Sequence, residues 1–560
     1  MENNNSLSRR QWLGKITVPA VAAGATMFGL ETNASPANNE KENKLAGAAV
    51  YNVRDHGAKG DGKTLDTKAI QSAIDKCFNE KGGTVLIPAG DFLCGTLELK
   101  SNVTLHIAAS GKLLGSPKRE DYTAGKGVPP GNGNIVFLYA VNTENISIEG
   151  KGTVDGNGLA FYNGKGDNTG PGQNGVGGNF DRPHLFIFYQ CNNLFLQNTF
   201  FKASAYHCVR ILKCKQVHID GIKIYNRVNR NNDGFHFNDC EYVHMMNCDV
   251  QCQDDACALF GSNKFVTVTN CSFSTRWSIF RFGGGESQNI TVTNCLIYDT
   301  YGCPIKISAG RASIENLSFS NIIMRNVTGP IGIGFSGPSN SNSNNNPQPE
   351  PFIRNISFNG IRATVVAKPV DHPDIHFGVT VREGEKNSCI TLNAMGEYYL
   401  ENISFTDVHV KYSGGGTKEQ ANKVVPNEAA EYFGVWNHEP GGPPAYGMYA
   451  RNVKGLTLQN VRFEYDEPDA RPAIIFDNVE DASINNLTAK GSEGTELLRF
   501  IDSKDILMTG TRLLTPSSVF LLVEGSSSRD ITVNGGDILK AKQSFVADKG
   551  ALKTSVRIQV

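Results

Sequence analysis

The sequence predicts an all-β fold, a parallel β-helix, and three observations carry that prediction. The first is a recurring phrase: an Asn, an aliphatic residue, a residue that is usually small and polar, then an apolar one. It occurs as Asn145-Ile146-Ser147-Ile148, Asn193-Leu194-Phe195-Leu196 and Asn289-Ile290-Thr291-Val292, then at Asn316, Asn355 and Asn402. The second is spacing: Asn-Cys pairs begin at Asn247, Asn270 and Asn294, steps of 23 and 24 residues. The third is composition: 59 Gly, abundant Asn, and Val, Ile, Leu and Phe in short alternating runs. A period of about 22–27 residues with three short strands fits one coil of a β-solenoid, whose coils hydrogen-bond at about 4.8 Å. A leucine-rich repeat is excluded, because its Leu consensus and repeated helices are missing.

Residues 1–37 read as a twin-arginine-type export signal. Ser8-Arg9-Arg10-Gln11-Trp12-Leu13 supplies the charged region, Ile16 to Leu30 a weakly apolar one, and Thr32-Asn33-Ala34 a small-residue cleavage site. The apolar stretch is interrupted by Pro19 and falls short of the roughly 20 residues of a membrane anchor. A linker over 38–48 then leads into a single β-helix catalytic domain over 49–560. The expected product is a periplasmic or secreted bacterial protein without a membrane anchor, a monomer because a capped solenoid needs no partner for solubility.

Asp66 to Cys77 reads as a short helix, capped by Asp66 or Thr67, with Ala69, Ile70, Ala73, Ile74 and Cys77 as its apolar stripe. It would cover the open strand edge of the first coil. Turn residues are expected at Asn198, Asn247, Asn270, Asn294, Asn321, Asn359, Asp407, Asn460 and Asn486, because Asn tolerates left-handed backbone and ladders with its neighbours. The period lengthens over 151–192, 322–359, 360–402 and 408–455, where loops must leave the stack. Segment 336–351 is Ser/Asn/Pro-rich, and Tyr432, Phe433, Trp436 and His438 are placed to wall a cleft. The 13 cysteines sit beside apolar strand residues in a large chain and read as mainly structural.

A net charge of −1 gives no sign of nucleic acid or an anionic membrane as partner. The chemistry lies in Asn231-Asn232-Asp233-Gly234, Gln253-Asp254-Asp255 and Pro304-Ile305-Lys306. Asp233 precedes Asp255 by 22 residues, and Lys306 follows it by 51, about two further coils. Three carboxylates and a lysine would therefore stack along one exposed edge. Paired carboxylates are what glycosidic hydrolysis needs, one donating a proton and one activating water. Asp254 and Asp255 reach one cleft only if the chain bends there, since strict alternation points them apart.

Apolar spacing sets the register. Phe235, Cys257, Phe280 and Ile305 form one inward column and Phe237, Leu259, Phe282 and Ile307 another. The residues between, His236, Ala258, Arg281 and Lys306, then face outward beside the acidic column. A polymer bearing carboxylates or sulfates would find both anchors and acids on that face.

These motifs resemble the polygalacturonase family of glycoside hydrolases, right-handed parallel β-helix enzymes of pectin breakdown, with this chain a divergent bacterial member. Asn231-Asn232-Asp233-Gly234 is similar to the family's Asn-Thr-Asp motif, and Gln253-Asp254-Asp255 to its Gly-Asp-Asp. Gly57 to Gly62 followed by Asp66 to Gln71 resembles the N-terminal cap of many β-helix proteins. The resemblance covers about residues 50–510. It implies an inverting hydrolase of an acidic, pectic polysaccharide or oligosaccharide, with no cofactor and no metal. Asp254 would be the general acid, Asp233 and Asp255 would hold and activate water, and Lys306 would bind a substrate carboxylate. Asn231, His236, Arg276, Trp277 and Arg281 complete the expected substrate contacts. Two positions depart from the pattern: Trp277 stands for the histidine of Gly-His-Gly, and Pro304 for the arginine of Arg-Ile-Lys. Trp277 has two roles open to it, stacking on a sugar ring with Arg276 or Arg281 as the missing cation, or packing inside. A β-helix polysaccharide lyase and a non-catalytic carbohydrate-binding protein are the competing readings.

Overall fold

A computed structural model describes residues 49–131, 133–162, 182–309, 312–336, 350–366, 368, 370, 385, 387–425 and 442–559. The expected signal and linker, and Tyr432, Phe433, Trp436 and His438, lie outside the described residues.

Alternating apolar residues in short strands, each ended by a turn residue, fold into a right-handed parallel β-helix. Strands from Val50–Asn52 to Val556–Gln559 join in one continuous sheet. Each coil gives one strand to each of three ladders. The ladder that carries the site contains β1 (Val209–Leu212), β2 (Phe235–Asn238), β3 (Cys257–Phe260), β4 (Phe280–Gly283) and β5 (Ile305–Ala309), paired in that order. Thr123–Ala124 against Ile135–Val141 is the one antiparallel pairing among the described residues.

The register is the one the apolar columns predict: Phe235, Cys257, Phe280 and Ile305 pair in sequence, as do Phe237, Leu259, Phe282 and Ile307. Both columns are fully buried. Stacking like side chains on successive coils fills the solenoid without gaps and removes the apolar surface from water.

The corners of the coils are built by left-handed residues. Asn198, Asn247, Asn270, Asn294, Asn321, Asp407, Asn460 and Asn486 all have φ between 52° and 56°. At Asn359 the expectation is one residue early: Gly360, φ 65°, stands over Asn321 and makes the turn. A Cβ there would come within 3.0 Å of the Asn321 side-chain oxygen. The phrase-initial Asn residues form a second left-handed column, linked Nδ2 to Oδ1 from Asn193 to Asn145 at 2.8 Å and from Asn402 to Asn355 at 3.1 Å.

Helix α1 (Thr67–Asn79) buries Ile70, Ala73, Ile74 and Cys77 against the first coils. Asp66 stands at its N-cap, but no side-chain hydrogen bond caps the helix there. The Asp66 carboxylate accepts instead from the amides of Lys59 and Gly60, at 2.7 and 2.8 Å, and Thr67 Oγ1 accepts from Gly95 N. The excursion expected from residue 408 begins later, because one strand continues to Gly414 before a single helical turn at Lys418–Ala421. All 13 cysteines are free thiols, 12 of them buried.

Candidate active site

The Asp233 loop is clamped by two fully buried asparagines. Asn232 Oδ1 accepts from the amides of Val228 and Asn229, and its Nδ2 donates to the carbonyls of Ser204 and Tyr206. Asn226 Nδ2 donates to the Asp233 carbonyl at 2.9 Å. Gly234 follows because nothing larger fits: an added Cβ would lie 2.3 Å from the Ala256 carbonyl oxygen of the next coil. The motif is thus a rigid mount, and rigidity is what a catalytic carboxylate needs.

After Cys252 the chain bends at Gln253 and Asp254 before entering β3. The bend breaks strand alternation, so Asp254 and Asp255 both reach Asp233. Each of the three offers one oxygen, and these oxygens lie within 4.8 Å of one another. Asp254 Oδ1 accepts from the Asp255 amide at 2.9 Å, and the Thr275 hydroxyl donates to the Asp254 carbonyl. Asn231 bridges the site, donating to Asp254 Oδ2 and accepting from Arg182, both at 3.5 Å.

Three negative groups so close cannot all ionise cheaply. Burial, then the charges of Asp233 and Asp255, push the Asp254 carboxyl well above its ordinary value, with Arg281 pulling the other way. Burial and Asp255 raise Asp233 likewise, opposed by Arg182 and Arg210. At neutral pH the cluster therefore keeps a proton, which is the state a general acid requires.

Asp233 is held between two imidazoles. His236 Nε2 lies 2.5 Å from Asp233 Oδ2, and His207 Nε2 lies 3.7 Å from Oδ1. Burial lowers His236 to about 4 and holds His207 well below its ordinary value, so both rings are neutral near pH 7. His207 was not anticipated from the sequence. Its signal was available, since the 26-residue offset between β1 and β2, carried back two residues, pairs His207 with Asp233. The same register places Arg210 beneath His236 in the outward column. Arg210 donates to the carbonyls of Gly133 and Gly131, and Arg182 sits over the Tyr206 ring at 4.6 Å.

His236, Ala258, Arg281 and Lys306 do form one column. The column is not the open edge expected, however. His236 is 7% exposed and Lys306 3%, and Phe260 packs edge-on against His236 at 5.4 Å. Pro304 contributes through its backbone, its carbonyl accepting from the amides of Ile279 and Phe280. Trp277 is 5% exposed and takes the packed role, with Arg276 over its face at 5.4 Å. Arg276 also donates to the Tyr301 carbonyl and approaches Glu385 at 3.5 Å.

Two overlapping sets have spacing a divalent cation uses: Asp233 with Asp254 and Asp255, and Asp233 with His207 and His236. In the second set, two of the three residues are already joined, His236 Nε2 being hydrogen-bonded to Asp233 Oδ2.

The sequence profile of glycosyl hydrolases family 28 matches residues 77–430. An exopolygalacturonase of Zea mays is 24% identical over 390 residues, covering 66% of this chain and 86% of that protein. An exo-poly-alpha-D-galacturonosidase of Dickeya chrysanthemi is 38% identical over 144 residues, 24% of each chain. The family 28 exopolygalacturonase of Yersinia enterocolitica shares the fold, with a TM-score of 0.55 at 20% identity over 78% of each chain. With a carboxylate cluster on a parallel β-helix and a family match across well over half its length, the chain belongs to glycosyl hydrolases family 28.

Proposed function

We propose that this enzyme hydrolyses galacturonate-linked bonds in a pectic polysaccharide or oligosaccharide, with inversion at the anomeric carbon. The observation that carries the reading is the convergence of Asp233, Asp254 and Asp255, with burial and mutual repulsion keeping Asp254 protonated. Asp254 donates its proton to the leaving oxygen as the glycosidic bond breaks. Asp233, with Asp255 beside it, takes a proton from the water that forms the new bond. Lys306 and Arg281, on the two coils above β3, meet the substrate's carboxylates.

A typical inverting pair stands about 6.5–9.5 Å apart to admit water, and retaining carboxylates about 5–5.5 Å. The nearest oxygens here are closer than either, within 4.8 Å. In the proposed arrangement Asp233 and Asp255 hold the water jointly, on the face of the sugar opposite the leaving oxygen. The family resemblance supplies the inverting assignment, and the anomer of the first product, read by NMR, tests it.

The decisive experiment is reducing-end release from polygalacturonate, rhamnogalacturonan and other acidic polymers, wild type against Asp254→Asn. Release that vanishes in the variant supports the reading. Ultraviolet-absorbing unsaturated products would assign a lyase, and binding without release a non-catalytic protein. Residues 49–560 are read as the catalytic domain, preceded by the signal and linker. The Arg9-Arg10 motif supports export to the periplasm or beyond. Retention of unprocessed precursor in an Arg9→Lys/Arg10→Lys variant would check that route.

A further inference from the structure

One hairpin leaves the parallel stack. Thr123–Ala124 pairs antiparallel with the start of Ile135–Val141, and residues 125–131, 133 and 134 belong to the crossing between them. Bonds within it set its shape: the Gly125 amide donates to the Asn134 carbonyl at 2.8 Å, and the Gly133 amide to the Pro130 carbonyl at 3.0 Å.

The hairpin lies on the outward face of the coils that precede the site. In Ile135–Val141 and His184–Tyr189, Leu138 with Ala140 and Phe186 with Phe188 belong to the solenoid core. Tyr139 and Ile187 alternate with them and face outward, yet both are buried. They join Val128, Val136 and Leu212 in a second apolar cluster, separate from that core. The hairpin backbone rests directly on it. A Cβ added at Gly125 would lie 3.3 Å from the Tyr139 ring, and one at Gly127 would lie 3.2 Å from a Val141 methyl. Removing that apolar surface from water holds the hairpin down.

Packed side chains continue this seal to the carboxylates. Arg210 follows Ile187 in the outward column and donates to the carbonyls of Gly133 at 2.8 Å and Gly131 at 3.4 Å. It also stands 3.4 Å from His184 Nε2. The His184 ring meets that of His207 at 5.0 Å, and His207 Nε2 lies 3.7 Å from Asp233 Oδ1. All three side chains are buried. On the other side of the carboxylates the coils differ. Arg281 and Lys306 stand there among Gly283, Ser308, Gly332 and Gly334, which carry little or no side chain.

We infer that the hairpin, latched by Arg210, is an end wall, and that the enzyme removes single sugar units from one end of its substrate. The inference rests on the proposed hydrolysis and adds where along the polymer it occurs. The coil of Arg210 lies two steps, about 10 Å, from that of Asp254, room for about one sugar ring between wall and proton donor. A longer chain on that side would run into the hairpin. Each turnover breaks the terminal glycosidic bond. Asp254 protonates the departing oxygen, water gives its hydroxyl to the anomeric carbon, and the remaining proton passes to the Asp233–Asp255 pair.

The test is a time course on a galacturonate hexasaccharide carrying a fluorescent label at its reducing end, with products separated by size. The wild type should give monosaccharide and pentasaccharide first, with tetrasaccharide appearing only after pentasaccharide accumulates. A labelled pentasaccharide would place the other end of the chain against the wall, and a labelled monosaccharide the reducing end. Di-, tri- and tetrasaccharides together from the start would overturn the inference and leave the proposed hydrolysis standing. No product from this or any acidic polymer would sink both. Val128→Asp sets a charge beneath the hairpin, far from the reacting atoms, and should raise the early share of di- and trisaccharides several-fold. If that variant melts at a lower temperature yet still releases only single units, the hairpin merely supports the coil and its role as a wall is overturned.

Discussion

His236 Nε2 stands 2.5 Å from Asp233 Oδ2, so these two buried groups share one proton. The contact links a residue at the mouth of β2 to the outward column of the same strand. It joins the acidic cluster and the basic column into one electrostatic unit. His207 on the preceding coil, Asp254 and Asp255 on the next, and Arg182 and Arg210 all act on the same carboxylate.

Removing that contact should move the acid limb of the pH profile. The imidazole N–H favours ionised Asp233, so His236→Phe raises the Asp233 value and activity disappears at a higher pH on acidification. A shift of about one unit is the expected scale for losing one hydrogen bond to a charge. It is read from kcat/KM against pH, with KM little altered. An unmoved acid limb would mean that His236 only packs.

Asp254→Asn should cost about 10²–10⁴-fold in kcat, the usual worth of a general acid. The same change should stabilise the fold near neutral pH. Because burial raises Asp254 above its unfolded value of about 3.9, the native state holds its proton more tightly. That contribution is complete below the unfolded value and is lost as pH rises through the folded one. The variant should therefore melt about 1–2 °C above wild type at pH 7, with the gap closing towards pH 4, as calorimetry would show.

Lys306→Met should raise KM on an acidic polymer by about 10-fold or more while changing kcat less, because a charge-assisted contact of about 1.5–3 kcal/mol is lost from binding. Steady-state kinetics on polygalacturonate and on a carboxyl-reduced polymer would separate the cases. Equal effects on both substrates would exclude a role in reading the carboxylate.

Gly234→Ala should fail structurally. Its Cβ would meet the Ala256 carbonyl at 2.3 Å, and neither side yields easily: Gly234 follows the loop that Asn232 clamps, and the Ala256 carbonyl accepts from the Phe235 amide at 2.9 Å. Overpacking of this kind costs about 1–3 kcal/mol. Lower thermal stability together with loss of activity is expected, since the shift displaces Asp233 relative to Asp255.

A chelator should leave activity unchanged, because the His236–Asp233 hydrogen bond engages two of the three residues of one candidate cation set and the proton on the cluster opposes the other. Loss of reducing-end release in EDTA, restored by a single added cation, would overturn this.

The solenoid, its register and its turn residues were legible because a β-helix is nearly one-dimensional. Each residue's neighbours lie one coil away, so a fixed offset in sequence is a fixed contact in space. Phe235 over Cys257 over Phe280 needed only counting. The same property makes the three aspartates readable as a cluster. Where the offset changes the reading weakens: Gly360 in place of Asn359, and His207 under Asp233, both follow steps longer than 24 residues.

The sequence by itself determined the coil, its inward columns and the carboxylates on one corner, because periodic burial of apolar residues leaves a single register. Only the tertiary structure decided the protonation and reach of the site. The bend at Asp254, the two imidazoles on Asp233, and the burial of Trp277, His236 and Lys306 depend on what lies across the space outside the coil. Desolvation and repulsion between charges are set by those non-periodic neighbours, and no repeat in the chain encodes them.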